Sequence, residues 1–482
     1  MRGITRRRFL EDSMLAAAAA AGGVAVGRGA FAAEPRRARK AGPNDQLRIA
    51  CIGFRGQGQN HIKAYLGMDD VTVATLCDVD SNLFANGVKM CEEKGKKVPK
   101  CEQDLRRVLD DESIDAVSIA TPNHWHSLAA IWAMQAGKDV YVEKPISHNV
   151  WEGRRLVEVA RQLDRICQCG TQCRSMRGMI EAIEYVHKGG IGKVSMAHGL
   201  CYRDRGSIGI AGGEQPIPPG IDYDLWLGPA PKVPLTRKQL HYDWHWFWAY
   251  GNGDLGNQGI HQMDIARWGL KKDRLADSVV CLGGRFGYKD DGETPNTQLT
   301  LLDYGDCQIL FECRGLKTKQ HKGAGVGVIF YGDEGYVVVP KYEGGAAFDL
   351  NGKVVKEFGG GGDHHRNFIN AVYSRKHTDL TADCLEGHLS SALCHLGNIS
   401  YRLGTDQPFD SANKAFGDNQ EAHETFARIQ EHLKDNAVPV DGLKYHVGPK
   451  LAFDVKAERF VGNEKANEML TREYREPFVV PA

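Results

Sequence analysis

The sequence lacks an excess of charge of either sign, because 61 lysines and arginines balance 61 aspartates and glutamates over 482 residues. This balance leaves no electrostatic footprint for nucleic acid or anionic lipid, so neither is predicted as a partner. Beyond the N-terminus, no apolar run approaches the roughly 18 residues of a membrane span. No internal repeat is visible, and at ~150 residues per domain the length predicts two or three domains.

The 13 cysteines lack the regular spacing of a disulfide framework, and their number is odd. Cys51 and Cys77 lie inside predicted buried strands, where cysteine behaves as a small hydrophobic residue. Cys167, Cys169 and Cys173 are the candidate metal ligands, but no second C-x-x-C pair or suitably spaced histidine accompanies them. Neither a metal site nor a disulfide framework is therefore predicted.

The N-terminus has the layout of an export signal. The sequence TRRRFL at 5–10 precedes an alanine-rich run at 14–26, and residues 30–32 fit a small-x-small cleavage site. Residues 1–33 are predicted to be a twin-arginine signal peptide, followed by a linker at 34–45. An ordinary secretory signal or an alanine-rich helix are the alternatives. Twin-arginine export carries folded proteins, so a periplasmic or otherwise exported protein with its cofactor already loaded is expected.

A short apolar run, a glycine-rich loop, a helical pattern and a second apolar run occupy residues 47–78. The two apolar runs predict buried parallel strands at 47–52 and 71–77. Glycines after the first strand allow a tight turn against a pyrophosphate, and an acidic residue after the second accepts hydrogen bonds from a ribose. The predicted dinucleotide contacts here are Gly53, Phe54, Arg55, Gly56, Gly58 and Asp78.

The alternation of strands and helices continues to about residue 170. Apolar runs at 116–120 and 139–142 predict two more strands, so residues 46–170 are expected to form a doubly wound parallel sheet, the Rossmann fold. Ligands of such sheets bind beyond the carboxyl ends of the strands. Further cofactor contacts are therefore predicted at Thr121, Asn123, His126, Glu143 and Lys144. A metal site at His124-x-His126 and a surface ion pair for Glu143-Lys144 are the alternatives.

Residues 171–405 are predicted to form a second α/β domain for substrate binding and oligomerisation, and 406–482 a C-terminal extension. Its strands are expected at 278–287, 297–303, 307–314, 326–331 and 335–340, with 194–202 preceding them. Hairpins of this length predict a large, mainly antiparallel open sheet with one face against helices. The other face is free to pair with a second copy of the chain, so a homo-oligomer is expected.

A helix beginning at Gly259 places His261 and Asp264 on one face. A histidine in the first turn of a helix that faces a cleft is a candidate general base, and a structural histidine is the alternative. Upstream, Trp244, Trp246 and Trp248 form either a platform for a sugar ring or the edge of a core. The predicted substrate residues are Arg174, Tyr202, Arg203, Trp246, Asn257, His261 and Asp264.

Four of these motifs, in this order, resemble the Gfo/Idh/MocA oxidoreductases, the family named for glucose–fructose oxidoreductase and inositol dehydrogenase. They are the Gly53 loop with His61, ATPN at 120–123 with His126, AGK at 136–138 leading to EKP at 143–145, and GIH at 259–261 with Asp264. The resemblance covers about residues 47–404. It implies a Rossmann domain, a C-terminal α/β domain, an NAD(P) cofactor and a sugar- or polyol-like substrate. Family roles place Lys144 at the substrate hydroxyl and His261 as proton acceptor.

Two positions depart from the family pattern. Arg55 stands where the middle glycine of the G-x-G-x-x-G frame falls, and Asn257 stands where relatives often carry an aspartate four residues before the histidine. An amide cannot stabilise an imidazolium through charge. The carboxylate of Asp78 favours NAD over NADP, because it would repel a 2′-phosphate.

The sequence predicts an NAD(P)-dependent oxidoreductase that acts on a sugar, glycoside or polyol hydroxyl with a tightly bound cofactor. Redox-neutral cleavage, elimination or epimerisation through transient oxidation is one alternative. A non-catalytic sugar-binding protein, which the substitution at Asn257 would allow, is another.

Overall fold

The structure is a computed structural model that describes residues 46–409 and 414–481. The export signal and linker predicted for residues 1–33 and 34–45 lie outside the described residues. Within the described ranges, no helix combines the length and apolar character needed to cross a membrane.

The first six described strands form a parallel sheet in the order β3-β2-β1-β4-β5-β6. The strands predicted at 47–52, 71–77 and 139–142 have the predicted bounds. This sheet confirms the predicted Rossmann fold, because its order reverses between β1 and β4 and leaves a crevice at their carboxyl ends. The strands are β1 Leu47–Ile52, β2 Val71–Cys77, β3 Lys100–Glu102, β4 Ala116–Ile119, β5 Asp139–Val142 and β6 Cys167–Cys169.

Helices cover both faces of this sheet. Their apolar sides pack on strands whose side chains are buried on both faces, such as Ile49 and Ile119, both with no exposed surface. The helices are α1 Gln57–Leu66, α2 Phe84–Glu92, α3 Leu105–Asp110, α4 Asn123–Gln135 and α5 Val150–Gln162.

The second sheet has 12 strands in the described residues, ten of them in the order β14-β13-β12-β11-β7-β10-β9-β8-β16-β15. Strands β7 and β10 run parallel, whereas the neighbouring pairs on either side of them run antiparallel. This confirms the predicted large, mainly antiparallel sheet. The strands are β7 Val194–Tyr202, β8 Ser278–Gly284, β9 Thr297–Asp303, β10 Gln308–Arg314, β11 Val326–Gly332, β12 Gly335–Lys341, β13 Gly344–Asp349, β14 Val354–Phe358, β15 Thr405–Pro408, β16 Lys444–Val447, β17 Leu451–Asp454 and β18 Arg459–Phe460.

Three helices of the second part, Arg177–His187, Gly259–Gly269 and Cys384–Arg402, pack on one face of this sheet, and another helix links it to the first sheet. The helix beginning at His364 packs on the Rossmann sheet through Phe368 and Ile369, both fully buried. The helices are α6 Arg177–His187, α7 Tyr223–Leu227, α8 Gly253–Asn257, α9 Gly259–Gly269, α10 His364–Ser374, α11 Cys384–Arg402, α12 Gln420–Asp435 and α13 Glu464–Glu468.

The outer face of the second sheet differs from the expectation of a free surface. Helix α12 lays Phe426, Ile429 and Leu433 against Leu299 and Leu310, and these side chains form one buried cluster. The chain thereby covers the part of this face around β8, β9 and β10 itself, because the amphipathic tail helix buries its apolar stripe there. Homo-oligomer formation through this sheet stays a prediction.

Residues 406–482, expected as a C-terminal extension, add strands to the second sheet and then return to the Rossmann domain. Phe478 packs edge-on against Trp125 of α4, with ring centroids 5.5 Å apart. The Tyr474 hydroxyl donates to Glu152 of α5 at 2.9 Å. The last residues therefore hold both halves of the chain together.

Candidate functional site

A cleft of about 480 Å³ lies at the carboxyl ends of β1, β2, β4 and β5. It is the crevice that the strand order predicts. One wall comes from the Rossmann loops and the other from residues of the second part of the chain. Eleven of the predicted site residues line it: Gly53, Arg55, Gly56, Asp78, Thr121, Asn123, His126, Glu143, Lys144, Asn257 and His261.

At two positions in the loop after β1, the surrounding backbone leaves no room for a side chain. Gly53 has a φ of +76°, and a Cβ there would lie 2.8 Å from the main-chain nitrogen of Thr121. A Cβ on Gly58 would lie 2.0 Å from the Gly53 carbonyl oxygen. Around Gly56, in contrast, nothing lies within 4 Å of an added Cβ. The loop thus turns tightly against the neighbouring strand end and leaves open space in front of Gly56.

Asp78 holds this loop in place. Its carboxylate accepts hydrogen bonds from the main-chain N–H groups of Phe54 at 2.9 Å and Asp80 at 3.0 Å. Burial raises the pKa of the Asp78 carboxyl to about 6, although these hydrogen bonds act in the opposite direction. The Phe54 side chain is 1% exposed and packs against Phe84, so Phe54 offers its backbone and not its ring.

These residues fit a dinucleotide. The Thr121 hydroxyl is buried and has no hydrogen-bond partner among the described residues, yet Thr121 lines the cleft. Helix α1 begins after Gly56 without a side-chain cap, so its first N–H groups are available to a phosphate. Asp78 at the end of β2 is placed for a ribose. Gly53, Gly56, Thr121 and Asp78 are therefore the residues that would hold NAD.

Glu143 is buried at the back of the cleft. Its carboxylate accepts a hydrogen bond from His61 Nε2 at 3.1 Å, and His61 Nδ1 accepts from the Ser118 hydroxyl at 2.9 Å. Burial acts to raise the pKa of Glu143, but the His61 hydrogen bond and the nearby Lys144 charge lower it to about 2. Glu143 is therefore a fixed negative charge beside Lys144.

Lys144 reaches across the cleft. Its Nζ donates to the main-chain carbonyl of Asn257 at 2.9 Å, at the end of α8. Burial lowers the pKa of Lys144, whereas the Glu143 charge raises it. An ammonium has three hydrogens to donate, so Lys144 keeps donors for a ligand oxygen after this contact.

His261 lies in the first turn of α9 and is 4% exposed. Its Nδ1 is buried without a hydrogen-bond partner in the described part of the chain. Burial, followed by the Lys144 charge, lowers the pKa of His261 to about 3, so the ring is neutral. The Tyr342 ring packs beside it with centroids 4.9 Å apart, and the Tyr342 hydroxyl accepts from Gln258 Nε2 at 2.8 Å.

The structure places the other predicted substrate residues outside the cleft lining. Arg174 donates two hydrogen bonds from its Nε to the Asp264 carboxylate, at 2.8 and 2.9 Å, and both side chains are buried. The Tyr202 hydroxyl donates to Glu312, and Arg203 donates to Gln258 Oε1 at 3.1 Å.

The remaining predicted site residues outside the lining, Trp246 and Gly58, serve packing. Trp246 is 4% exposed beneath the Arg205 guanidinium, whose central carbon is 5.5 Å from the ring. Gly58 supports the glycine loop from behind. These roles were not visible in the sequence, because charged and aromatic residues occur both in buried structural pairs and in binding sites.

The second wall of the cleft was predicted only in part, because Trp244 was expected either in a platform for a sugar ring or at the edge of a core. It consists of Leu225, Trp226, His241, Tyr242, Trp244, His245 and Tyr342. This wall, together with Gly220 before it, is hydrogen-bonded to the segment that follows β2. His241 Nε2 donates to Asp80 Oδ2 at 3.0 Å, and the N–H of Ser81 donates to the Gly220 carbonyl at 3.0 Å. The density of aromatic residues and histidines at 241–248 was the one available sequence signal for it.

Two family models match this chain. The model of the NAD-binding Rossmann fold of the Gfo/Idh/MocA oxidoreductases matches residues 47–171, and that of their C-terminal alpha/beta domain matches residues 194–433. The chain belongs to the Gfo/Idh/MocA oxidoreductase family. The resemblance seen in the sequence is thereby confirmed, and residues 47–171 are the NAD-binding domain of this family.

Among curated proteins, the chain is similar to a glycosyl hydrolase family 109 protein 2 of Shewanella sp. strain ANA-3. The two are 30% identical over 205 residues, which cover 40% of this chain and 45% of that protein. A glycosyl hydrolase family 109 protein of Shewanella pealeana is 27% identical over 154 residues, covering 31% and 34%. The chain thus spans less than half the length of the curated relatives that it matches.

Solved structures share the fold. The WlbA dehydrogenase from Bordetella pertussis, in complex with NADH and UDP-GlcNAcA, has a TM-score of 0.53 at 20% identity, covering 74% of this chain and 97% of that one. The aldose-aldose oxidoreductase from Caulobacter crescentus, complexed with glycerol, has a TM-score of 0.55 at 17% identity, covering 73% and 97%.

Proposed function

We propose that this protein is an NAD-dependent oxidoreductase that removes hydride from a hydroxyl-bearing carbon of a sugar, glycoside or polyol. The observation that carries the proposal is the meeting of Lys144 and His261 in the cleft bordered by the Gly53 loop and Asp78. These two groups come from different domains and line the same cleft.

Bound NAD supplies a hydride acceptor; the protein supplies the acid–base groups. Lys144 donates to the reacting substrate oxygen and stabilises the negative charge that develops there. His261, kept neutral by burial, accepts the hydroxyl proton. Glu143 stays ionised and gives the Lys144 ammonium a negative charge beside it.

We further propose that the cofactor is NAD and is retained between turnovers. Asp78 supports NAD, since a 2′-phosphate next to its carboxylate would be repelled. Retention is supported by the segment 220–245, which is hydrogen-bonded to the residues after Asp78 through His241–Asp80 and Ser81–Gly220. Release of a dinucleotide would require these contacts to open. The predicted export signal makes retention useful, because no NAD pool is available outside the cytoplasm.

The second candidate is redox-neutral chemistry on a glycoside, in which transient oxidation acidifies the neighbouring C–H and the hydride later returns. Two observations favour it. Curated relatives have the name glycosyl hydrolase family 109. In addition, His261 Nδ1 has no hydrogen-bond partner among the described residues, and position 257 carries an amide where relatives often carry an aspartate.

Mass spectrometry of nucleotide released from denatured, freshly purified protein tests the proposal. Stoichiometric NAD, together with a rise of the reduced-nicotinamide absorbance on adding one class of sugar or polyol, is the expected result. Bound NAD with a new reducing end and no absorbance change would select the redox-neutral candidate. Protein that contains no nucleotide and takes up none on incubation with NAD would contradict both.

A serine at position 78 tests the cofactor preference. We expect Asp78→Ser to lower the ratio of NAD to NADP affinity at least about tenfold, because one charge no longer repels the phosphate. Asp291→Asn, which removes a charge from a turn of the second domain, serves as the control. An unchanged ratio in Asp78→Ser would contradict the assignment of Asp78 to the ribose.

A further inference from the structure

His245 is a cleft residue to which neither the sequence nor the proposed chemistry assigns a role. It lies on the helical turn Asp243–Trp246 and lines the cleft together with Lys144 and His261. The turn packs against α8, which ends at Asn257. Its backbone is closely supported, since a Cβ on Gly251 would come within 2.6 Å of the His245 carbonyl oxygen.

The orientation and tautomer of the His245 ring are set by its neighbours. Nδ1 lies 2.6 Å from the main-chain carbonyl oxygen of Tyr242, and a carbonyl only accepts, so Nδ1 carries the hydrogen. The ring stacks on Trp244 with centroids 3.7 Å apart and planes inclined by 20°. Nε2 therefore bears a lone pair in a fixed direction, and it forms no hydrogen bond within the described ranges.

The ring is also held neutral. Burial lowers the pKa of His245 to about 3 against the effect of the Tyr242 hydrogen bond, and the Lys144 and Arg205 charges add to the lowering. A neutral ring with its hydrogen on Nδ1 can only accept at Nε2. Lys144, in contrast, can only donate. The cleft thus presents a donor-only group from the Rossmann domain and an acceptor-only group from the second domain.

We infer that His245 is a specificity-determining residue, whose Nε2 accepts a hydrogen bond from the substrate hydroxyl adjacent to the oxygen that Lys144 holds. The inference rests on the proposed function, because it takes the Lys144-bound oxygen as the reacting one. The expected substrate therefore carries hydroxyls on two adjacent carbons and is a vicinal diol. A lone alcohol or a carbonyl without a neighbouring hydroxyl would cover the Nε2 lone pair of His245 without offering it a donor, which costs binding free energy.

The test compares how tightly each enzyme variant binds a parent glycoside and its deoxy derivatives. Binding is measured by tryptophan fluorescence. The probes are the methyl glycosides of glucose, galactose and mannose, and then the monodeoxy derivatives of the tightest binder. Wild-type protein is expected to bind one of these derivatives, lacking a hydroxyl next to the reacting position, about threefold to tenfold more weakly than the parent.

Two substitutions separate the role of Nε2 from that of the Tyr242 contact. In His245→Asn the side-chain amide can still donate to the Tyr242 carbonyl, but no atom occupies the Nε2 position. We expect it to bind the parent glycoside about threefold to tenfold more weakly and to lose the discrimination against the deoxy derivative. His245→Gln places an amide oxygen near the Nε2 position and should restore part of the discrimination.

His423→Gln is the matched control, because His423 also bonds a main-chain carbonyl, that of Gly417 at 2.7 Å, but lies on α12 outside the cleft.

Equal discrimination in wild type and His245→Asn overturns the inference, as does failure of every glycoside to bind NAD-containing protein. NAD content is measured in the same samples. Wild-type protein that neither contains NAD nor takes it up contradicts the proposed function, whereas intact NAD with unchanged discrimination contradicts only the role of His245.

Discussion

The Lys144 ammonium donates to the main-chain carbonyl of Asn257 at 2.9 Å, and this contact joins the two domains at the floor of the cleft. Because it uses the backbone of residue 257, it does not depend on whether an amide or a carboxylate stands there. The side chain at this position can therefore change the chemistry of His261, four residues on, without removing the contact that positions Lys144.

Replacing this amide by a carboxylate should make His261 a stronger base. In Asn257→Asp a nearby negative charge stabilises the imidazolium, so the pKa of His261 rises from its low value. Since the neutral ring accepts the proton, the acid-side limb of the pH profile of kcat/KM should move upward by about one unit. Asn351→Asp adds the same charge on an exposed turn. An unmoved limb would mean that position 257 does not act on His261.

Removing the Lys144 charge should abolish chemistry and leave the cofactor in place. We expect Lys144→Met to lower kcat about 100-fold to 1,000-fold, because the developing charge on the substrate oxygen is no longer stabilised. The nucleotide released from the denatured variant should match that of wild type. Lys188→Met removes an exposed lysine that pairs with Glu184 and should be neutral. Activity within a factor of about 3 of wild type would exclude the assigned role.

Two alanine substitutions in the glycine loop should have opposite outcomes. Gly53→Ala forces a side chain into a positive φ and against the Thr121 backbone at 2.8 Å, so we expect a loss of about 2 kcal/mol or more in unfolding free energy. Gly56→Ala meets open space and should change stability by less than about 0.5 kcal/mol. Chemical denaturation of apoprotein measures both. Equal stabilities would show that the loop is looser than the contact distances imply.

The buried pair of His61 and Glu143 should appear in the acid stability of the protein. The pKa of Glu143 is lowered to about 2, so the pair contributes stability that is present above the ordinary carboxyl pKa and is lost as the pH falls toward about 2. His61→Ala leaves a buried charge without its partner and should cost about 3 kcal/mol at neutral pH.

The same variant should unfold with a flatter dependence on pH between about 5 and 3, because Glu143 no longer gains from ionisation in the fold. Urea titrations at several pH values give the comparison. His187→Ala, which removes a half-buried histidine bonded to the Trp268 carbonyl, is the reference. A pH dependence identical to that of wild type would contradict the pair's contribution.

Local sequence patterns were sufficient to predict most of the longer strands. The strands at Leu47–Ile52 and Val71–Cys77 have the bounds that their apolar runs predict, because burial on both faces demands a largely apolar segment. The short strands Lys100–Glu102 and Val354–Phe358 were not predicted. The second of these has the sequence VVKEF, which shows neither a continuous apolar run nor a strict alternation, and four of its five residues are exposed.

The candidate site likewise consists of residues that the sequence predicted and residues that it did not. Gly53, Asp78, Lys144 and His261 were found from the sequence, since each directly follows a strand or opens a helix, where parallel topology brings ligands. Tyr342 and His245 were not, because each lies on a turn that only the packing of the second domain carries to the cleft. Arg174 and Asp264, 90 residues apart, were predicted at the substrate and instead form a buried ion pair with each other.

The sequence by itself determined the family, the nucleotide fold and the Rossmann side of the cleft, because those depend on residues adjacent to their own strand ends. Only the tertiary structure decided which aromatic and histidine residues form the opposite wall, and that α12 covers part of the second sheet. Both outcomes depend on contacts between segments far apart in the chain. The free energy of such contacts comes from shape and burial, which no local pattern of residues records.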